Sequence, residues 1–184
     1  MKIIFATGNK NKLDEIRAIM DGYGFDIVTS KDEGIAADPE ENGESFEANA
    51  LIKAKAVYDL SDGKAVVMAD DSGLCIDALG GEPGIYSARF MGHDTGYDIK
   101  NAELLRRMED VPEERRSARF VCAVAAVLPR SARANSMFLV FIVCVLLSLF
   151  FGYVGVVVNI FRNQLEVVEH HLRVVALYSI VEHL

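Results

Sequence analysis

Three groups of residues in this sequence have the types and spacing to handle a phosphorylated ligand. The first is Thr7-Gly8-Asn9-Lys10-Asn11-Lys12, which follows an apolar run over residues 2–6 and opens an amphipathic segment. A short strand feeding such a turn at a helix start presents unpaired backbone N–H groups and the positive end of the helix dipole, to which Lys10 and Lys12 add full charges. Phosphate is the natural guest, although the same composition serves an ordinary tight connection, and the turn alone leaves both readings open. It is neither a G-x-x-x-x-G-K-[ST] loop nor a G-x-G-x-x-G loop. The second group is Asp70-Asp71-Ser72-Gly73, directly after a short apolar stretch at residues 65–69. Read as a buried strand, that stretch sets two carboxylates and a hydroxyl at a strand's carboxyl end, where open α/β sheets bind ligands. A hard cation such as Mg2+ takes carboxylate and phosphate oxygens together, so an acidic pair there complements a phosphate-binding turn. The third group is Glu41 with the stripe Phe46, Asn49, Ala50, Lys53 and Val57, whose spacing of three and four residues puts them on one helix face. A cation at Lys53 inside an apolar stripe either extends its head to solvent or makes a second phosphate contact.

These residues need elements to hold them, and the chain supplies a strand and helix alternation. Apolar and amphipathic patterning predicts strands near 2–6, 25–28, 65–69 and 118–128, with helices over 12–20, 45–60 and 101–108. That order indicates an α/β fold. Residues 79–89 carry three glycines and a proline, which reads as a rigid, tight connection needing backbone conformations barred to most residues.

At 184 residues the chain allows one domain with an appendage. The net charge of −8 has scattered signs and no basic stripe, which argues against a nucleic-acid partner. Cys75, Cys122 and Cys144 show no metal-binding spacing and sit in apolar surroundings, as reduced thiols of a cytosolic protein do. Residues 2–6 are too short for the apolar core of a signal peptide.

Taken together, four blocks in this order resemble the inosine triphosphate pyrophosphatase family: A-T-G-N-K-N-K from Ala6, E-E-N-G-x-S-F-x-x-N-A from Glu40 with Lys53 beyond it, A-D-D-S-G-L from Ala69, and L-G-G-x-P-G-I-Y-S-A-R from Leu79. The resemblance runs over residues 1–129. It implies a mixed central sheet with flanking helices, Mg2+ as cofactor, and a homodimer. It also implies hydrolysis of non-canonical purine nucleoside triphosphates (ITP, dITP, XTP) to the monophosphate and pyrophosphate. Residue by residue, it implies that Thr7, Gly8, Asn9, Lys10, Asn11 and Lys12 bind the triphosphate. It further implies that Lys53 and Ser72 are substrate contacts, that Glu41 and Asp71 hold Mg2+, that Asp71 helps activate the attacking water, and that Arg89, in a region beside the family's active site, is a weaker site candidate.

The likeness ends after Pro129. The family's G-F-G-Y-D-P motif, later lysine and S-H-R, which hold the base and part of the triphosphate, have no counterpart in residues 130–184. Instead the sequence is free of charge over residues 134–161, and 137–158 is long and apolar enough to be a candidate transmembrane helix. The excess of arginine before it would leave the first domain cytoplasmic. From Asn163 onward, Leu165, Val168, Leu172, Val175 and Tyr178 keep a helical spacing, so the whole tail is predicted helical. His170 and His171 are neighbours, face different directions on such a helix, and read as solvated side chains. The sequence thus predicts a cytoplasmic, Mg2+-dependent pyrophosphatase. The alternative is a membrane-anchored or frame-shifted remnant that binds triphosphate without selective turnover.

Overall fold

A computed structural model of the chain describes residues 1–129 and the backbone of 167–168 and 171–183. The candidate transmembrane segment 137–158 lies outside the described residues, as do residues 163–166, where the predicted terminal helix would begin. Among the described residues, no helix is long and apolar enough to cross a membrane.

The elements follow in the order β1 (Lys2–Phe5), α1 (Lys10–Met20), β2 (Asp26–Thr29), α2 (Phe46–Leu60), β3 (Val66–Ile76), α3 (Tyr97–Arg107), β4 (Ser117–Val127), β5 (Val167–Val168) and β6 (His171–His183). They build a mixed sheet in the order β2-β1-β3-β4-β6-β5. The pairs β1–β2 and β1–β3 are parallel, whereas β3–β4 and β4–β6 are antiparallel. Helices cover both faces of the parallel part, and the strands there read as continuous apolar runs for that reason. On one face α2 lays Phe46, Ala50, Ala54 and Val57 over Ile4, Val67, Ala69, Val121, Ala123 and Ala125. On the other, Leu13 and Met20 of α1 join Ile3, Phe5, Val66, Met68 and Ala126.

Two expectations are corrected. The strand predicted over 65–69 does not stop before the acidic pair. It runs through Asp70-Asp71-Ser72-Gly73 to Ile76, because β4 pairs with it over its length, from Val67 opposite Val127 to Ile76 opposite Ala118. Only the β1 side ends early, with Phe5 opposite Met68. The acidic pair is therefore interior to β3, yet it lies just past the carboxyl end of the parallel part of the sheet.

The second correction concerns the tail. Residues 171–183 form a strand rather than a helix, and β6 pairs antiparallel with β4 from Ser117 opposite His183 to Val127 opposite Arg173. Apolar residues stand at most positions of 172–181, so a helical spacing can be drawn through them at almost any phase. Val174, Val175, Ile180 and Val181 are β-branched and suit a strand. The deciding factor is β4, whose free edge offers a row of backbone donors and acceptors.

Candidate active site

The turn after β1 is built by its own side chains. Ala6 N–H donates to the carbonyl of Met68 at 2.7 Å, which ties the start of the turn to β3. The Thr7 hydroxyl accepts from Asn9 N–H at 3.1 Å, and Asn9 Oδ1 accepts from Asn11 N–H at 2.9 Å, capping α1. Two of the expected ligand contacts, Thr7 and Asn9, thus hold the loop in shape through their side-chain oxygens. Among the described residues, the amides of Gly8 and Lys10 meet no protein acceptor. A side chain at Gly8 would meet nothing within 4 Å, so the approach to the loop is open. Thr7, Gly8, Asn9 and Lys10 line a cleft of about 990 Å3 together with Glu41 and Lys53.

Strand alternation sends Asp70 and Asp71 to opposite faces of β3. Asp71 points toward α2. Asn49 Nδ2 donates to its Oδ2 at 3.3 Å and Lys53 Nζ to its Oδ1 at 3.3 Å, while Lys53 also donates to Glu41 Oε2 at 3.2 Å. Asn49 is fully buried, and its Oδ1 accepts from Gly43 N–H at 2.8 Å. A Cβ at Gly43 would lie 2.7 Å from that same oxygen, so glycine is what lets the segment after Glu41 close on α2. Ser45 caps α2 by accepting from Ala48 N–H at 3.2 Å, which fixes where the helix begins and hence where Asn49 and Lys53 fall. Burial pushes the Asp71 carboxyl above its ordinary value, against the opposing pull of the Lys53 charge and the Asn49 hydrogen bond.

Asp70 points the other way and pairs with Lys12. Lys12 also reaches the Ser72 hydroxyl at 3.3 Å, and Ser72 donates to Asp70 at 2.9 Å. Burial works to lower the Lys12 ammonium, but the charge and hydrogen bond of Asp70 outweigh it, and the net direction is upward. Lys12 is therefore a firmly held cation bridging α1 and β3. Cys122, opposite Ser72 on β4, has its thiol pushed up by burial and then by the Asp70 charge, which disfavours the thiolate.

The expected residues accordingly divide. Thr7, Gly8, Asn9, Lys10, Glu41 and Lys53 line the cleft, with Asp71 behind them on Lys53, whereas Lys12 and Ser72 sit with Asp70 on the other face. Asn11 is exposed in the first turn of α1. Three contributors were not singled out as site residues from the sequence. Asn49 orients Asp71, and its signal was a lone amide in an apolar stripe. Gly43 admits Asn49. The third is the segment 29–39 that forms the remaining wall of the cleft, including Lys31; its only signal was a polar turn after β2. Arg89, the weaker candidate, donates to the backbone carbonyl of Glu41 at 3.2 Å and stacks on the Tyr86 ring at 4.8 Å. The glycine-rich connection thereby holds the Glu41 segment in place.

Among the described residues no three His, Cys, Asp or Glu side chains group to hold a metal. The donor set nevertheless fits a divalent cation of the Mg2+ type. Carboxylate oxygens of Glu41 and Asp71 already converge on one cationic atom, Lys53 Nζ. Mg2+ is commonly held by one or two carboxylates with phosphate and water completing its shell.

Residues 3–141 match the family model described as Ham1 family. A protein of Thermoanaerobacter sp. (strain X514) named dITP/XTP pyrophosphatase is 46% identical over 127 residues, covering 69% of this chain and 63% of that protein. Among solved structures, the Staphylococcus aureus Ham1 protein aligns with a TM-score of 0.62 at 33% identity, covering 70% of this chain and 64% of that one. The nucleoside-triphosphatase / dITP/XTP pyrophosphatase of Mycobacterium abscessus aligns with a TM-score of 0.58 at 41% identity, covering 70% and 65%. The chain thus spans a little under two thirds of the length of these relatives.

Proposed function

Since the chain belongs to the Ham1 family, we propose that it hydrolyses non-canonical purine nucleoside triphosphates of the ITP, dITP and XTP kind to the monophosphate and pyrophosphate. The observation that carries this reading is a cleft lined by Glu41 and Lys53 together with the loop of Thr7, Gly8, Asn9 and Lys10, with Asp71 and Glu41 both held by the Lys53 ammonium. Relatives named dITP/XTP pyrophosphatase supply the substrate class.

Glu41 and Asp71 would hold Mg2+, which when bound supplies positive charge to the phosphate oxygens as charge develops on them. The chain's own residues do the rest. The Gly8 and Lys10 amides and the Lys10 ammonium receive the polyphosphate, and the adjoining wall of residues 29–39 encloses it. Asp71, buried and held by Asn49, accepts a proton from the water whose oxygen bonds to the α phosphorus, and the bond between the α and β phosphates breaks with pyrophosphate as leaving group. Such chemistry is accelerated mainly by positioning and by fixed charge, which this site is built to provide. The reading carries with it a homodimer and a cytoplasmic nucleotide pool as the place of work.

The test is pyrophosphate release from ITP against ATP, with and without Mg2+, by this chain and by Asp71→Asn. Selective, Mg2+-dependent release that falls at least 100-fold in the variant is the expected result, in keeping with the size of a general-base contribution. Folded protein that releases none from ITP would sink the reading.

A further inference from the structure

Lys53 stands where a metal ion is wanted. Its ammonium lies 3.2 Å from Glu41 Oε2 and 3.3 Å from Asp71 Oδ1, the two carboxylates proposed above to hold Mg2+. Both distances are longer than the 2.7–2.9 Å or so of a tight ammonium–carboxylate bond. The ammonium is thus shared between the acids rather than locked to either. Lys53 also lines the cleft that the loop of Thr7, Gly8, Asn9 and Lys10 lines. Its flexible stem, anchored on α2, can carry the charge from the acids into the cleft without moving the helix.

We infer that Lys53 is the resident counter-ion of the metal-free protein, and that a divalent cation binds only by displacing its ammonium from Glu41 and Asp71 toward the polyphosphate. Two cations cannot occupy the point where the two carboxylates meet, because they repel strongly at such separations in a half-buried site. Without a cation there, Glu41 and Asp71 would face each other uncompensated, so the lysine keeps the empty site folded. Once displaced, the same charge serves the substrate. Polyphosphate therefore strengthens metal binding by giving Lys53 somewhere to go, and metal strengthens polyphosphate binding by the same factor, as linkage requires. The inference rests on the function proposed above, but its readout is metal binding without substrate.

The experiment is Mn2+ binding to the full chain in the absence of nucleotide, followed by the electron paramagnetic resonance signal of free Mn2+. The proteins are the wild type, Lys53→Met, Lys53→Gln, Lys10→Met, and Lys53→Met combined with Asp71→Asn. The expected result is at least fivefold tighter Mn2+ binding in both Lys53 variants, less than a twofold change in Lys10→Met, and loss of binding in the double variant. If Lys53→Met and Lys53→Gln bind Mn2+ no more tightly than the wild type while the double variant loses it, the counter-ion role is overturned and the metal site stands. If no protein binds Mn2+, both fall. Where the Lys53 variants do not fold, the wild type answers alone: adding Mg2+ must shift the Lys53 side-chain ammonium resonance in the 15N spectrum, and an unchanged resonance at saturating Mg2+ overturns the inference.

Discussion

At the scale of single residues, the site works by giving adjacent carboxylates different surroundings. Asp70 is tied to Lys12 and Ser72, whereas Asp71 is buried beside Asn49 and Lys53. Burial raises the Asp71 carboxyl of the metal-free protein, which should therefore take up its proton as pH drops through that raised value rather than through 3.8. Asn49 donates to the ionised form and so pulls the value down. Asn49→Ala removes that pull, and the Asp71 titration followed by 13C NMR without metal should move to still higher pH; a midpoint that moves down would contradict the role given to Asn49. Arg89 acts on the same site through the backbone, holding the carbonyl of Glu41 at 3.2 Å. Arg89→Ala removes a bond worth about 1 kcal/mol. Titrating activity with Mg2+ should then show half-saturation at a concentration raised roughly fivefold, with maximal rate changed far less.

At the scale of elements, the site depends on β3 passing closely between α2 and the connection over residues 79–89. Gly73 is the point of closest approach. A Cβ there would lie 2.3 Å from the Gly84 carbonyl oxygen and 2.6 Å from Ser87 Oγ. Ser87 uses that closeness, donating to Gly84 O at 2.6 Å and accepting from Leu74 N–H at 2.9 Å. The backbone oxygen cannot swing away, so Gly73→Ala should destabilise the protein by about 1–3 kcal/mol. A thermal melt should register this as a midpoint lower by several degrees, on the order of 2–4 °C per kcal/mol for a chain of this size. At the same connection Gly80, Gly81 and Gly84 have φ of 66°, 90° and 54°, the left-handed region that the run of glycines anticipates. Ser45→Ala, which removes the cap of α2, should lower stability by about 1 kcal/mol and loosen the turn of helix that carries Asn49.

At the scale of the whole molecule, β6 covers the edge of β4. The pairing runs through Ala125 opposite Val175 and Val124 opposite Ala176. Neighbouring backbone N–H groups along a strand point to opposite sides, so of Val175→Pro and Ala176→Pro one must delete a donor aimed at β4. At least one of the pair should lower the melting midpoint by 5 °C or more, on the order of 1–2 kcal/mol, and raise light scattering on heating as the apolar edge of β4 is freed. Equal, negligible effects from both would mean that the sheet ends at β4 in solution. Much of this protein is legible without its structure. The strand-turn-helix opening, the helix bearing Asn49 and Lys53, and the acidic pair all follow from local pattern, because periodicity, capping residues and turn chemistry act over a few residues. The family likeness of residues 1–129 is equally local, carried by short blocks of fixed spacing. Only tertiary structure decided that β3 continues through Asp70 and Asp71, since a strand's length is set by its partner β4 and not by its own residues. It alone sent those two carboxylates to opposite faces of the sheet, brought Lys53 onto both Glu41 and Asp71, and turned residues 171–183 into a strand. Each of these depends on a backbone or a charge distant in sequence, which no window along the chain contains.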